Sequence, residues 1–229
     1  MTSLIKMFVL IILLSSSGLM SSFTDNNNYL DININYLSTG YFDNEKMVDS
    51  LIRNKELTDL INLNEFQKVE KELGKIKSIK SIDIYRNNYL KYEIDIIDRE
   101  PIVFIRELNS YMDSSGVIIK KYNLLIDSIP EIKGTLPDGE EFKILKVITA
   151  LENDDFFKNK LKFISLKEDD IYLNIKGFDF DIRFGNEFQI KNKLNMLKGF
   201  YIYQFNSSLN KKYKQVDLVY NNRLIAIKK

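Results

Sequence analysis

The spacing of apolar residues in the first hundred positions changes from a strand period to a helical one and back. Residues 29–36 alternate between apolar and polar side chains, which is typical of a half-buried strand. Two helices follow: Asp43 or Asn44 can cap the first, and the second begins near Asn62 or Asn64. The apolar faces of the two helices are expected to comprise Met47, Val48, Leu51 and Ile52, and Phe66, Val69 and Leu73.

Two further alternating segments complete this first unit. Residues 79–86 and 89–98 are predicted to be strands, and Asn87-Asn88 joins them, because Asn tolerates the positive φ of a tight hairpin. The order strand, helix, helix, strand, strand over residues 27–98 favours a small sheet that two helices cover on one face.

Strands dominate after Pro101, with two helices among them. Asp138 is expected to cap a short helix, with Glu141 completing a capping box, and a longer helix lies near residues 187–204. The apolar faces of these helices are expected to comprise Phe142, Leu145, Ile148 and Leu151, and Phe188, Leu194, Leu197 and Tyr201. The predicted strands are residues 102–108, a hairpin in 110–119, and residues 161–166, 171–175, 178–184, 214–220 and 224–227.

Residues 99–229 are therefore predicted to form a mostly antiparallel β domain with two helices. Together with the first unit, this places the chain in the α+β class.

The N-terminus carries an apolar segment that can direct export. Residues 4–20 contain one charge, Lys6, and would form a helix of about 25 Å, slightly shorter than a ~30 Å hydrocarbon layer. Extending the segment to Phe23 predicts a transmembrane anchor over residues 4–23 with residues 1–3 in the cytoplasm. A cleaved signal peptide is the alternative, with Ser16 and Gly18 as small residues before the cut. Both interpretations export the rest of the chain.

The composition disfavours most enzyme classes. The 229 residues include no Cys, His or Trp, so thiol nucleophiles, imidazole bases and HExxH zinc sites are excluded. A net charge of +1 is too small for a typical nucleic-acid-binding protein. The acidic clusters Asp154-Asp155 and Glu168-Asp169-Asp170 lie beside predicted turns, where carboxylates are normally solvated. We therefore expect a binding protein with no catalytic residue, no metal and no cofactor. Metal binding by oxygen ligands is the alternative, but no EF-hand spacing is present.

Five short features occur in an order that resembles one bacterial family. They are Asp98-Arg99-Glu100-Pro101-Ile102; Tyr111, Asp113 and Gly116; Phe184-Gly185; the 187–204 helix; and Val216-Asp217-Leu218-Val219-Tyr220. In this order they resemble the FtsQ/DivIB family of cell-division proteins, more narrowly its versions in the Bacteroidetes-type lineage. Val219 stands where that family usually has a basic residue.

The resemblance implies a fold and a location. It implies a POTRA-like β-α-α-β-β domain over residues 27–98 and the β domain over residues 99–229. It also implies a single-pass protein of the cytoplasmic membrane at the division septum, with its N-terminus inside and most of the chain in the periplasm.

The resemblance further implies a non-enzymatic scaffold that links divisome membrane proteins and binds FtsB-like and FtsL-like single-pass partners. An edge strand of the β domain would receive a strand from the partner. The residues implied as contacts are Tyr220, Asn222, Leu224, Ile225 and Ala226.

The sequence also allows other interpretations of single residues and of the whole chain. Tyr220 can equally be an ordinary core or cross-strand aromatic, and Lys228 and Lys229 can simply protect an edge strand against aggregation. The whole chain can also be a POTRA-bearing exported protein of outer-membrane assembly or secretion, or a signal-peptide-cleaved periplasmic binding protein. A single candidate POTRA unit followed by short strands, rather than several repeats and a long barrel, disfavours the outer-membrane alternative.

Overall fold

Within the described residues, twelve strands and five helices form two groups along the chain. The computed structural model describes residues 31–38, 40–88, 91–121, 126, 129–168, 170–207 and 213–229. The helices are α1 (Asn44–Ile52), α2 (Lys55–Asn62), α3 (Phe66–Leu73), α4 (Glu141–Glu152) and α5 (Ile190–Ser207). This mixture of helices and two sheets confirms the α+β class.

The first group is a three-stranded sheet with three helices packed on it. Its strands are β1 (Asp31–Tyr36), β2 (Ile79–Asn88) and β3 (Lys91–Asp98), in the order β1-β3-β2. The long central strand β3 pairs parallel with β1 and antiparallel with β2. One buried cluster joins sheet and helices and includes Val48, Ile61, Val69, Leu73, Ile84, Ile94 and Ile96.

Local details of this group differ from the sequence prediction. Helix α2 was not predicted; the side chain of Asn54 accepts a hydrogen bond from the Glu56 N–H and caps it. Neither Asp43 nor Asn62 caps a helix through its side chain, and Asn64 lies two residues before α3. The hairpin turn predicted at Asn87-Asn88 was wrong, because both residues belong to β2.

Asn44 has a different structural role from the predicted helix cap. Its buried amide donates to Asp98 Oδ1 at 2.7 Å and accepts from Ser78 Oγ at 2.6 Å. The first residue of α1 is thereby tied to the end of β3 and the approach to β2. A buried polar group with both hydrogen bonds made fixes a unique arrangement of these elements.

The second group is a nine-stranded sheet in the order β12-β11-β10-β9-β8-β7-β4-β5-β6. Its strands are β4 (Pro101–Ile105), β5 (Ser110–Asp113), β6 (Ile118–Lys120), β7 (Glu131–Lys133), β8 (Leu161–Lys167), β9 (Asp170–Ile175), β10 (Asp181–Gly185), β11 (Tyr213–Asp217) and β12 (Ile225–Lys228). Three neighbouring pairs are parallel (β4–β7, β7–β8 and β10–β11), and the other five are antiparallel.

Helices α4 and α5 share one buried cluster with the strands of this sheet. Leu145, Ile148 and Leu151 of α4 and Leu194 and Leu197 of α5 belong to it, as predicted. Burying such side chains supplies most of the stability of a domain of this kind.

Three expectations about these helices were wrong. Helix α4 begins after Glu140 without any side-chain cap, so Asp138 and Glu141 form no capping box. Phe142 and Phe188 are 63% and 67% exposed. Phe142 lies on the opposite side of α4 from Leu151, and Phe188 precedes the start of α5.

Two of the recognised motifs meet where the two groups join. Arg99, between β3 and β4, places Nη1 2.7 Å from Asp113 Oδ2, and its Nε donates to Lys77 O at 3.0 Å. Asp113 Oδ1 accepts from the Ser115 and Val117 N–H groups at 2.9 and 2.8 Å. The motif pair therefore links the small sheet to the β5–β6 turn.

An aromatic contact reinforces the same junction. Phe42, in the connection between β1 and α1, is buried against Tyr111 and Ile119 of the large sheet. The rings of Phe42 and Tyr111 meet edge to face with centroids 6.2 Å apart. The first group thus contributes a side chain to a core cluster of the second.

The proposed anchor, residues 4–23, and the stub of residues 1–3 lie outside the described residues. Over the described ranges, none of the helices has both the length and the apolar character required to cross a membrane.

We predict that Arg99→Ala lowers the free energy of unfolding by about 3 kcal/mol, because it leaves the buried carboxylate of Asp113 without its counter-charge. Urea unfolding followed by circular dichroism measures the change. Arg106→Ala is the matched control: it removes an exposed Arg–carboxylate pair with Glu131 and should change stability little. Equal losses in the two variants would contradict the proposed importance of the junction.

Candidate partner-binding edge

Strand β12 forms one end of the nine-stranded sheet. It pairs antiparallel with β11, with Ile225 opposite Asp217, Ala226 opposite Val216 and Ile227 opposite Gln215. Within the part of the chain that the structure describes, no strand pairs with its other side. Among the described residues, β12 is therefore an edge strand, the kind of strand whose outer N–H and C=O groups can pair with another strand.

Of the predicted contact residues, Ile225 and Ala226 lie in β12, and Leu224 directly precedes it. Leu224 and Ala226 pack against the core of the β domain. Ile225 is 43% exposed, and Ile227, which was not among the predicted contacts, is 36% exposed on the same face. The strand period of two, applied to Ile225, would have identified Ile227.

Tyr220 lies in the connection between β11 and β12 and outside the buried core. It is 51% exposed, and its carbonyl oxygen accepts a hydrogen bond from the Arg223 N–H at 3.2 Å. A half-exposed tyrosine keeps a large apolar ring at the surface with a polar hydroxyl, a combination that is frequent at protein interfaces.

Asn222 is already bound within the chain. Its Oδ1 accepts a hydrogen bond from Asn192 Nδ2 of α5 at 2.6 Å, and its φ is 56°, a left-handed conformation that Asn tolerates. This side chain holds the β11–β12 connection against α5.

The Phe184-Gly185 motif lets the end of β11 approach β10. Gly185 has a φ of +76°, and a Cβ atom at this position would lie 2.9 Å from Val219 Cγ2. The ammonium group of buried Lys193 donates to Phe184 O at 2.9 Å and Asn186 O at 2.8 Å. Burial lowers the pKa of Lys193.

An ion network crosses the sheet beside this motif. Arg183 on β10 donates from Nε to Asp170 Oδ2 at 2.7 Å and from Nη1 to Asp217 Oδ2 at 3.1 Å. The hydrogen bond to Asp170 raises the pKa of Arg183 still further, so the guanidinium stays charged. The network spans β9, β10 and β11.

Two of the acidic residues predicted to be solvated are instead ion-paired. Asp170 pairs with Arg183, and Asp154 pairs with Lys198 of α5 at 2.5 Å. Among the described residues there is no group of three or more acidic side chains placed to hold a metal ion.

A cleft of about 710 Å³ opens beside Gly185, between the β7–α4 and β8–β9 connections. Apolar residues such as Ile144, Leu166 and Ile171 share its lining with Lys143, Glu168 and Glu187. Its lining is mixed in charge and gives no preference for one class of ligand.

Comparison with known families adds an independent observation. The family model described as FtsQ/DivIB, C-terminal related, matches residues 100–227, which is more than half of the chain. The chain belongs to the FtsQ/DivIB family. No curated protein matches it.

Membership of the FtsQ/DivIB family supports a role in cell division and places the chain in a family of non-enzymatic division scaffolds. The match covers β4 to β12 and so confirms the resemblance to the FtsQ/DivIB family; the narrower resemblance to the Bacteroidetes-type versions stays a prediction. Residues 27–98 lie outside the matched range, and their assignment as a POTRA-like domain stays a prediction.

We predict that Gly185→Ala destabilises this FtsQ/DivIB protein more than Gly139→Ala does. Both positions have φ near +80°, so both variants carry a backbone cost of about 1 kcal/mol. Only at Gly185 does the new methyl group collide with Val219, which should add at least ~1 kcal/mol. Thermal unfolding of the two variants measures the difference, and similar losses would rule out the close approach of β10 and Val219.

Proposed function

We propose that this chain is a division scaffold that accepts a strand from an FtsB-like single-pass protein along the outer side of β12. The observation that carries the proposal is the position of β12 at the end of the sheet, with one side unpaired among the described residues. Added backbone hydrogen bonds would supply much of the affinity, and side-chain contacts would select the partner.

The exposed side chains beside this edge favour an apolar contact. Ile225 and Ile227 lie on one face of β12, and Tyr220 lies in the connection that precedes the strand. A partner strand with apolar residues at alternate positions would cover them as it pairs with the backbone.

The charge around the edge favours a partner with acidic residues. Residues 213–229 contain four Lys or Arg and one Asp, and Arg223 and Lys228 are exposed. The single acidic residue, Asp217, is buried and paired with Arg183. Complementary charge would speed encounter and fix the direction of the added strand.

The location of the protein completes the proposal. We assign residues 4–23 as an uncleaved single-pass anchor that leaves the POTRA-like and β domains outside the cytoplasmic membrane. Confinement to the same membrane raises the effective concentration of an FtsB-like or FtsL-like partner, so a short strand contact is sufficient.

Proline substitutions along β12 test strand addition. In an antiparallel pair, consecutive N–H groups point alternately toward the neighbouring strand and away from it. We expect one of Ile225→Pro and Ala226→Pro to keep the fold and lose at least tenfold in partner binding, and the other to disrupt pairing with β11. Leu224→Pro extends the series, although Leu224 also packs against the core.

An affinity pull-down from membranes with the full chain identifies the partner. The amount of that partner recovered by each variant is then measured. Ile225→Ala, which keeps the N–H group, separates side-chain from backbone effects. A chain truncated after residue 210 lacks both β11 and β12 and should recover no FtsB-like protein. If every proline variant that stays folded shows full recovery of the partner, strand addition at β12 is excluded.

Fractionation of cells tests the location. We expect the full-length chain in the cytoplasmic membrane with its N-terminal segment retained, as judged by the mass of the purified protein. A soluble periplasmic form, or a protein in the outer membrane, would contradict the assigned anchor.

A further inference from the structure

Arg183 occupies a central position among three adjacent strands. Its guanidinium contacts Asp170 of β9 through both Nε and Nη2, and Asp217 of β11 through Nη1. The planar, forked geometry of Arg suits it to bridge two carboxylates, which a Lys ammonium cannot do in the same way. Asp217 is almost fully buried, and its orientation is therefore fixed by its partners.

The two oxygens of Asp217 have different partners. Oδ2 faces Arg183, while Oδ1 accepts the N–H of Val219 at 2.9 Å. The N–H of Leu218 also donates to the carbonyl oxygen of Arg183 at 2.9 Å. Arg183 thus controls the path of the chain as it leaves β11, through its side chain and its backbone.

Two other contacts hold the same connection. Val219 packs closely over Gly185, and Asn222 accepts the hydrogen bond from Asn192. Tyr220 lies between these fixed points, with its side chain half exposed. When the backbone on both sides of an exposed aromatic residue is restrained, the ring samples fewer positions. This lowers the entropy cost of binding.

We infer that Arg183 is a positioning residue for partner binding: through Asp217 it holds the β11–β12 connection so that Tyr220 meets the partner in a fixed orientation. Arg183 itself need not touch the partner. The inference rests on the proposed function, because it assigns Tyr220 to the contact surface.

A fluorescent reporter tests the positioning without any partner. The chain contains no Trp, so Tyr220→Trp introduces a single indole at the proposed contact. We expect Arg183→Gln in the Tyr220→Trp chain to lower the fluorescence anisotropy of that indole and to expose it to acrylamide quenching. Asp217→Asn, which keeps an oxygen for the Val219 N–H, should have a smaller effect than Asp217→Leu. Unchanged anisotropy in a folded Arg183→Gln chain would overturn the inference.

A double-mutant cycle tests the link to binding, with the partner recovered by the full chain in the pull-down as the probe. If Arg183 acts through Tyr220, Arg183→Gln should weaken binding about fivefold in the native chain and much less in the Tyr220→Ala chain. Additive effects would mean that Arg183 acts only on general stability, and would overturn the inference.

The two proposals fail in different ways. If neither Tyr220→Ala nor the proline variants reduce binding, the strand-addition function is wrong, and the anisotropy result still decides whether Arg183 orders the turn. If those variants reduce binding and Arg183→Gln does not, only the positioning role is wrong. Thermal unfolding of each variant confirms that the comparison is made between folded proteins.

Discussion

The arrangement of the β domain depends on the parallel pairing of β10 and β11. Parallel neighbours require a crossover connection, and α5 supplies it, with Leu194 and Leu197 buried in the common core. This crossover returns the chain to the sheet beyond β10 and leaves β12 outermost. The ion network of Arg183 and the close contact of Gly185 with Val219 both result from this placement of the two strands.

Much of the fold follows from local pattern, and the exceptions have physical causes. Strands β8 and β9 and helices α4 and α5 were predicted because their apolar spacing is regular over five or more residues. Strand β7 was not predicted, because only Ile132 of its three residues is buried. Phe142 was assigned to a core face because it continues the three-residue spacing of Leu145, Ile148 and Leu151, but that spacing turns around the helix and places Phe142 opposite Leu151. The strand order, with its parallel pairs, involves contacts between distant segments that local periodicity does not reveal.

The edge and the Tyr220 connection could be proposed from sequence because a terminal alternating segment and a short family motif mark them. The side chains that organise the site could not be identified from sequence. Arg183 is 13 residues from Asp170 and 34 from Asp217, and their contact exists only in the observed strand register. The same applies to Asn192 and Asn222, which are 30 residues apart. Their residue types, in a chain rich in Asn and charged residues, carry no distinctive signal.

The junction between the two sheets has a mechanical consequence. Only Arg99 and Glu100 separate β3 from β4. Asp113 pairs with Arg99 in that short link, and Phe42 packs against Tyr111 across the same junction. These contacts resist rotation of the first group against the β domain, so the first group would act as a spacer between Asp31 and the sheet that carries β12. Under the proposed anchoring and strand addition, a partner would have to reach this edge at that distance from the membrane, so the length of its own stalk would become a criterion of recognition.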